Sequence, residues 1–237
     1  MGTEKKRLGI LGGMGSEATE VFFKRIIEHT KVKNDREHLD IFIYNHASLP
    51  DRTEYIITGR TDELWEIIKG DIHTLEAVKS DYIAIPCNTC HFFADRLDEA
   101  TDHHFINMIT ETAAFAKTTG AKKVGVMGTT GTVRSDLYKK ALNLHGIEAV
   151  YPDDEYQDVV MDIIYGQIKK GDKGSMSDFS RVVDHFSEKS CDAVILACTE
   201  LSVFRENYMI TDPFFIDALD VLARACITMC GGALRIV

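Results

Sequence analysis

Two short stretches carry reactive side chains in matching contexts: Ile85-Pro86-Cys87-Asn88-Thr89-Cys90-His91 and Leu196-Ala197-Cys198-Thr199-Glu200. In each, a cysteine follows an apolar run (Tyr82 to Pro86; Ala193 to Ala197) and precedes small polar residues and a segment of helical character. That order predicts a strand, a turn and a helix N-terminus with a thiol at the turn. Backbone N–H groups there attract anions and lower a thiol's pKa. A free cysteine is most often an inert buried thiol, but such a thiol has no use for the Asn-Thr and Thr-Glu that follow these two. Two thiols in like settings can act as a proton acceptor and a proton donor.

Rival chemistries use the same letters. Cys87-x-x-Cys90-His91 is the string of a c-type haem attachment, of a zinc half-site, or of a redox pair. Haem attachment needs an export route, and Cys226-x-x-x-Cys230 at the end of an apolar helix makes a poor second zinc pair. None of the three explains Cys198. Gly13-x-Gly15-x-x-Ala18 formally matches the dinucleotide fingerprint, but the second strand ends in Asn45-His46 rather than in an acid for the ribose. The glycines are therefore assigned to close backbone approach to a small anion. Spacing alone leaves Arg52, Lys169, Glu200, His46 and His91 ambiguous, since basic residues near turns are normally solvated and a turn Glu is usually a helix N-terminal charge. Asp102-His103-His104 reads as a solvated loop.

The elements that must position these residues alternate. Arg7 to Leu11 reads as a buried strand, Gly12 to Gly15 as a turn, and Ser16 as the N-cap of a helix presenting Ala18, Phe22 and Ile26. A strand at Asp40 to Tyr44 runs into a polar loop from Asn45 to Thr53. A helix (Asp62 to Lys79), the Cys87 strand and turn, a helix from Ala94, a strand at Phe105 to Met108 and a helix at Thr110 to Thr119 follow. A second round starts at Lys123 to Met127. It continues through Gly128-Thr129-Thr130-Gly131-Thr132, a helix through Leu144, a strand at Ile147 to Tyr151, helices at Tyr156 to Lys170 and Ser177 to Ser190, and the Cys198 strand. Phe214 to Ile216 and a helix from Asp217 to Cys230 complete the pattern.

Alternation of this kind predicts an α/β protein with mainly parallel sheet. Leu8-Gly9-Ile10-Leu11-Gly12 is echoed 116 residues later by Val124-Gly125-Val126-Met127-Gly128, and the two cysteines lie 111 residues apart. Two lobes of like topology are expected, residues 1–117 with 213–237 carrying Cys87, and residues 118–212 carrying Cys198.

Composition narrows the class. The 237 residues are 45% hydrophobic and 27% charged, enough for real cores and ordinary for a globular protein. A net charge of −10 without a basic run argues against nucleic acid as partner. No apolar run approaches the ~20 residues of a membrane helix. The first residues show neither a signal-peptide core nor, around Gly2, a myristoylation pattern, so a cytosolic protein is expected. Its six cysteines should be reduced, with Cys191, Cys226 and Cys230 as core thiols.

Taken together, Gly12-Gly13-Met14-Gly15, Pro50-Asp51-Arg52-Thr53, Pro86-Cys87-Asn88-Thr89-x-His91 and Ala197-Cys198-Thr199-Glu200 make the chain resemble the aspartate/glutamate racemase family. The likeness runs over nearly the whole chain and is closest to the aspartate and broader amino-acid racemases. It implies two pseudo-symmetric lobes with the site between them, a homodimer, and catalysis without pyridoxal phosphate or metal on a dicarboxylic amino acid. Cys87 and Cys198 would flank the substrate α-carbon. Asn88, Thr89, Thr199 and the turn bearing Thr129, Thr130 and Thr132 would bind its α-carboxylate, Arg52 would meet its side-chain carboxylate, and Lys169 would match the family's substrate-binding lysine. Met14 and Glu200 complete the expected substrate contacts. Two departures from the family pattern are Ser16, where proline is usual, and Cys90, where Ala or Ser is common. Rival readings on this scaffold are maleate isomerisation, a decarboxylation that needs only one cysteine, and a non-catalytic carboxylate-binding protein.

Overall fold

A computed structural model describes residues 5–101 and 103–235. Asp102, and residues 1–4 on which the lipid-anchor reading falls, lie outside them. The chain divides into two compact units, residues 1–108 with 219–237, and residues 109–218.

The first unit is laid on β1 (Leu8–Gly12), buried at every position. α1 (Ser16–His29) follows, burying Ala18, Phe22 and Ile26 at helical spacing. β2 (Ile41–Asn45), α2 (Arg52–Ile57), α3 (Thr61–Ala77), β3 (Tyr82–Ala84), a 3-10 turn at Thr89–Phe93, α4 (Ala94–Ala100) and β4 (His104–Ile106) complete the round. The strands run in the order β2-β1-β3-β4, all parallel, with Leu8 opposite both Ile41 and Tyr82. α3 sets Leu64, Ile68, Ile72 and Leu75 into one apolar cluster with Ile83, Ile85, Cys87 and Phe93. Each such buried side chain contributes roughly 1.5–3 kcal/mol. The reactive turn is thus anchored in the core from below.

The second unit repeats the plan. α5 (Met108–Thr118) leads into β5 (Lys123–Gly128), α6 (Thr130–Arg134), α7 (Leu137–Leu144), β6 (Glu148–Val150) and α8 (Asp154–Met161). A π-helical turn (Asp162–Gln167), a 3-10 turn (Ile168–Lys170), α9 (Met176–Glu188), β7 (Ala193–Ala197), α10 (Thr199–Asn207) and β8 (Phe215–Asp217) follow. Its strand order, β6-β5-β7-β8, is again all parallel and equivalent to the first. α11 (Ala218–Met229) returns to the first unit. Cys87 and Cys198 therefore follow equivalent strands, β3 and β7, just past their carboxyl ends, where open α/β sheets bind ligands.

Several local expectations are corrected. Ser16 is not the cap of α1; Gly15 is, and the Ser16 hydroxyl accepts from Asn45 Nδ2 at 2.9 Å. The fastening comes from Thr19, whose hydroxyl accepts from Gly13 N–H at 3.0 Å and donates to Gly15 O at 2.8 Å. The Asn45–Thr53 segment is not loop throughout, because Asp51 caps α2 by accepting from Glu54 N–H at 2.8 Å, which buries Arg52 and Thr53. His104 belongs to β4, paired with Tyr82, although its side chain is exposed. The helix expected through Leu144 breaks between α6 and α7, where Asp136 adopts φ 52°. The unit boundaries also move. β8 pairs with β7, Leu196 opposite Asp217, which holds residues 213–218 in the second unit. α5 joins it too, with Lys117 Nζ donating to His145 O at 3.1 Å.

Candidate functional site

The Cys87 turn is held from three sides. β3 ends at Ala84, and Cys87 N–H closes a tight turn onto Ile85 O at 2.7 Å. His91, one turn along, points back with Nδ1 2.9 Å from Cys87 O, and its Nε2 accepts from Met108 N–H at 2.9 Å. Because a backbone N–H can only donate, the proton sits on Nδ1 and is given to the Cys87 carbonyl. Burial pushes the His91 pKa down to about 4, so it is a neutral strut rather than a base. Arg52 supplies the third side. Its Nη atoms donate to Leu49 O, Pro50 O and Met14 O, and its guanidinium lies beside the Cys87 side chain. Burial opposes that charge, but the negative partners Cys87, Asp51 and Cys90 outweigh it and raise the Arg52 pKa. Nε of Arg52 is buried without a partner. Cys90 is wholly buried in the apolar cluster, and burial, then the Cys87 charge, pushes its thiol well up.

The Cys198 turn is built otherwise. Cys198 is the N-cap of α10 with φ −149°, and its Sγ lies 2.9 Å from Glu200 Oε2, to which it donates. Glu200 is only 4% exposed. Its other oxygen, Oε1, is 2.6 Å from Lys169 Nζ, and the Thr199 hydroxyl donates to Oε2 at 3.4 Å. The expectation of a depressed thiol pKa fails at Cys198. Burial first, then the Glu200 charge, raises it well above the ordinary value, and Lys169 only partly opposes them. A helix end delivers a few tenths to about 1 kcal/mol at an exposed site, less than the cost of burying an anion beside a carboxylate.

The remaining candidates are divided between the two units. Asn88, Thr89 and Thr199 are buried next to the thiols in sequence. Met14 lends a carbonyl to Arg52 while its side chain joins the apolar cluster. Thr129 caps α6, accepting from Thr132 N–H at 3.3 Å; Thr132 is fully buried and Thr130 partly open. In the Gly-rich turn of β1, Gly13, at φ 89°, lies where a Cβ would come within 2.3 Å of the His46 backbone, so glycine lets the end of β2 close on it. Cys191, Cys226 and Cys230 are buried. Among the described residues no group of three or more His, Cys, Asp or Glu comes together to hold a metal, and no helix is long and apolar enough to cross a membrane.

One pair escaped the sequence. Asp71 on α3 is buried and takes His46 Nδ1 at 2.9 Å, with burial the main cause raising its pKa. The signal was there: Asp71 occupies a core position three residues beyond Ile68, on the apolar stripe.

With two equivalent Cys-bearing strand ends in place, comparison with known proteins becomes decisive. Residues 11–226 match the family described as Asp/Glu/Hydantoin racemase. The chain belongs to that family. Membership makes it an isomerase. Among its relatives, the broad specificity amino-acid racemase RacX of Bacillus subtilis (strain 168) is 27% identical over 227 residues, 93% of this chain and 96% of that one. The aspartate racemase of Picrophilus torridus superposes with a TM-score of 0.83 at 32% identity, covering 97% of this chain and 96% of that one. A glutamate racemase of Francisella tularensis, solved with D-glutamate, shares the fold at TM-score 0.70 and 20% identity, over 96% of this racemase and 81% of that one.

Proposed function

We propose that the protein racemises aspartate, and glutamate as its homologue, without a cofactor, using Cys87 and Cys198 as the two proton-transfer groups. The observation that carries this reading is the contrast in the charge beside each thiol: a guanidinium near Cys87, a carboxylate bonded to Cys198. Arg52 places a cation beside Cys87, and Glu200 accepts the S–H of Cys198 and favours it as thiol. A two-base racemase needs one of each at rest. In the forward direction the Cys87 thiolate takes the α-proton and becomes a thiol, while the Cys198 thiol delivers its own proton to the opposite face of the α-carbon and becomes a thiolate. The reverse reaction exchanges the roles. Lys169, 2.6 Å from Glu200, offsets the second negative charge when Cys198 is ionised.

An amino acid's α-C–H is far less acidic than a thiol, so the α-carboxylate must carry developing charge. Donors aimed at it stabilise the transition state more than the ground state. Asn88, Thr89, Thr199 and the Thr129–Thr132 turn are assigned that task. The relatives support the substrate class: one is named an aspartate racemase and is 32% identical over nearly its full length. Lys169 and Arg52 are the cations suited to an acidic side chain.

The test is proton NMR of the reduced protein with L- and D-aspartate in D2O, with EDTA and no added cofactor. The α-proton signal is expected to vanish from both enantiomers while optical rotation falls to zero. Absence of exchange from either would overturn the aspartate reading, and conversion of maleate to fumarate in the same tube would replace it.

A further inference from the structure

The helix before Lys169 changes its winding just ahead of the residue that meets Glu200. α8 stops at Met161, and residues 162–167 form a π turn in which Ile168 N–H reaches back to Ile163 O. A π turn holds one residue more than an α turn, so everything beyond it is rotated by about 100° relative to a continued α-helix. The chain then tightens into the 3-10 turn at Ile168–Lys170 and leaves it through left-handed Gly171. Such a winding change is costly and persists only when its surroundings hold it.

The hold is visible. Gln167, at φ −121° and ψ −76°, has left helical geometry, and its amide is fully used. Nε2 donates to Asp162 Oδ2 at 2.7 Å and to Asp178 Oδ2 at 3.3 Å, while Oε1 accepts from Ser175 N–H at 2.7 Å. One side chain thus ties the start of the π turn to the first turn of α9. Gly166 leaves the room for it, since a Cβ there would sit 2.0 Å from Asp162 Oδ1. The same turn places the Tyr165 ring 5.4 Å from Lys169 Nζ.

We propose that Gln167 is a positioning residue for this reaction: by bracing the π turn against Asp162, Ser175 and Asp178 it sets Lys169 against Glu200. The proposal rests on the reading of Lys169 as part of the racemase site. Gln167 touches neither a thiol nor a substrate-contacting residue, and it acts through the backbone that carries Lys169.

A double-mutant cycle tests it. Gln167→Ala is expected to lower kcat/KM for aspartate about tenfold in the native background and less than twofold in a Lys169→Met background. Full multiplicative losses, or wild-type kcat/KM in Gln167→Ala while Lys169→Met is impaired, would overturn the brace. A readout independent of turnover accompanies it: acetylation of Lys169 by acetic anhydride, followed by peptide mass, should quicken severalfold in Gln167→Ala because the ion pair loosens. An unchanged labelling rate also overturns the brace. Wild-type turnover in Lys169→Met with quickened labelling in Gln167→Ala would instead sink the site reading and leave the brace standing. Should Gln167→Ala not fold, Gln167→Glu keeps the acceptor for Ser175 N–H, loses both donors, and is held to the same outcomes.

Discussion

The two cysteine turns sit after equivalent strands of equivalent sheets, yet they are chemically opposite. At Cys87 the chain brings a cation from a distant helix start, and a neutral histidine pins the backbone carbonyl. At Cys198 it places a carboxylate two residues downstream and hands the balancing cation to that carboxylate rather than to the sulfur. Duplicating a fold duplicates strand order and the place of the thiol, because backbone pairing and apolar burial decide those. It does not duplicate the polar partners, which come from loops and helix ends free to diverge. The two sulfurs are thereby given neighbours of opposite charge.

The sharpest way to break the comparison is to remove each sulfur. Cys87→Ser and Cys198→Ser should each slow racemisation about 10³-fold, the scale of a lost acid–base group. Near-wild-type turnover in either, measured by loss of optical rotation, would end the two-thiol account.

A second test addresses the strut found only at Cys87. The folded pKa of His91 is about 4, below its unfolded value of 6.5, so the unfolded state binds the extra proton first as pH falls. The neutral-strut stability is complete above pH ~6.5 and is lost between there and pH ~4, amounting to about 3 kcal/mol. Urea midpoints for wild type should drop across that window, and a His91→Gln variant should show a flatter profile. Parallel profiles would place the acid sensitivity elsewhere.

The smallest effect sharpens the contrast at Cys198. Glu200→Gln removes the charge that, after burial, does most to keep this thiol protonated. Alkylation of Cys198 by iodoacetamide near neutral pH should then quicken, with Cys87 unchanged. A rate that stays level or falls would show that Glu200 does not govern the thiol.

The parts of this molecule that were legible in sequence are those fixed by local pattern. The apolar runs of β1, β5 and β7 announced buried parallel strands, the echo of Leu8–Gly12 in Val124–Gly128 announced the repeat, and both cysteines were found at their strand ends. Boundaries were misplaced where a short segment's allegiance depends on its partner: Phe215–Asp217 reads as a strand anywhere, but pairing with β7 assigns it to the second unit. The 45–53 segment looked like loop because its residues are polar, and only the capped helix beginning at Arg52 shows why such a residue is buried there.

By itself, then, the sequence determined the α/β repeat, the two thiols and their place at the ends of strands, since hydrophobic periodicity and turn chemistry act over a few residues. Tertiary structure alone decided what each thiol faces. Arg52 reaches Cys87 across 35 residues of chain because α2 is capped where it is, and Lys169 meets Glu200 just past a turn that winds as π. Neither outcome is written in spacing: the first depends on how helices and loops pack around a sheet, and the second on a brace between side chains that only the folded chain brings together.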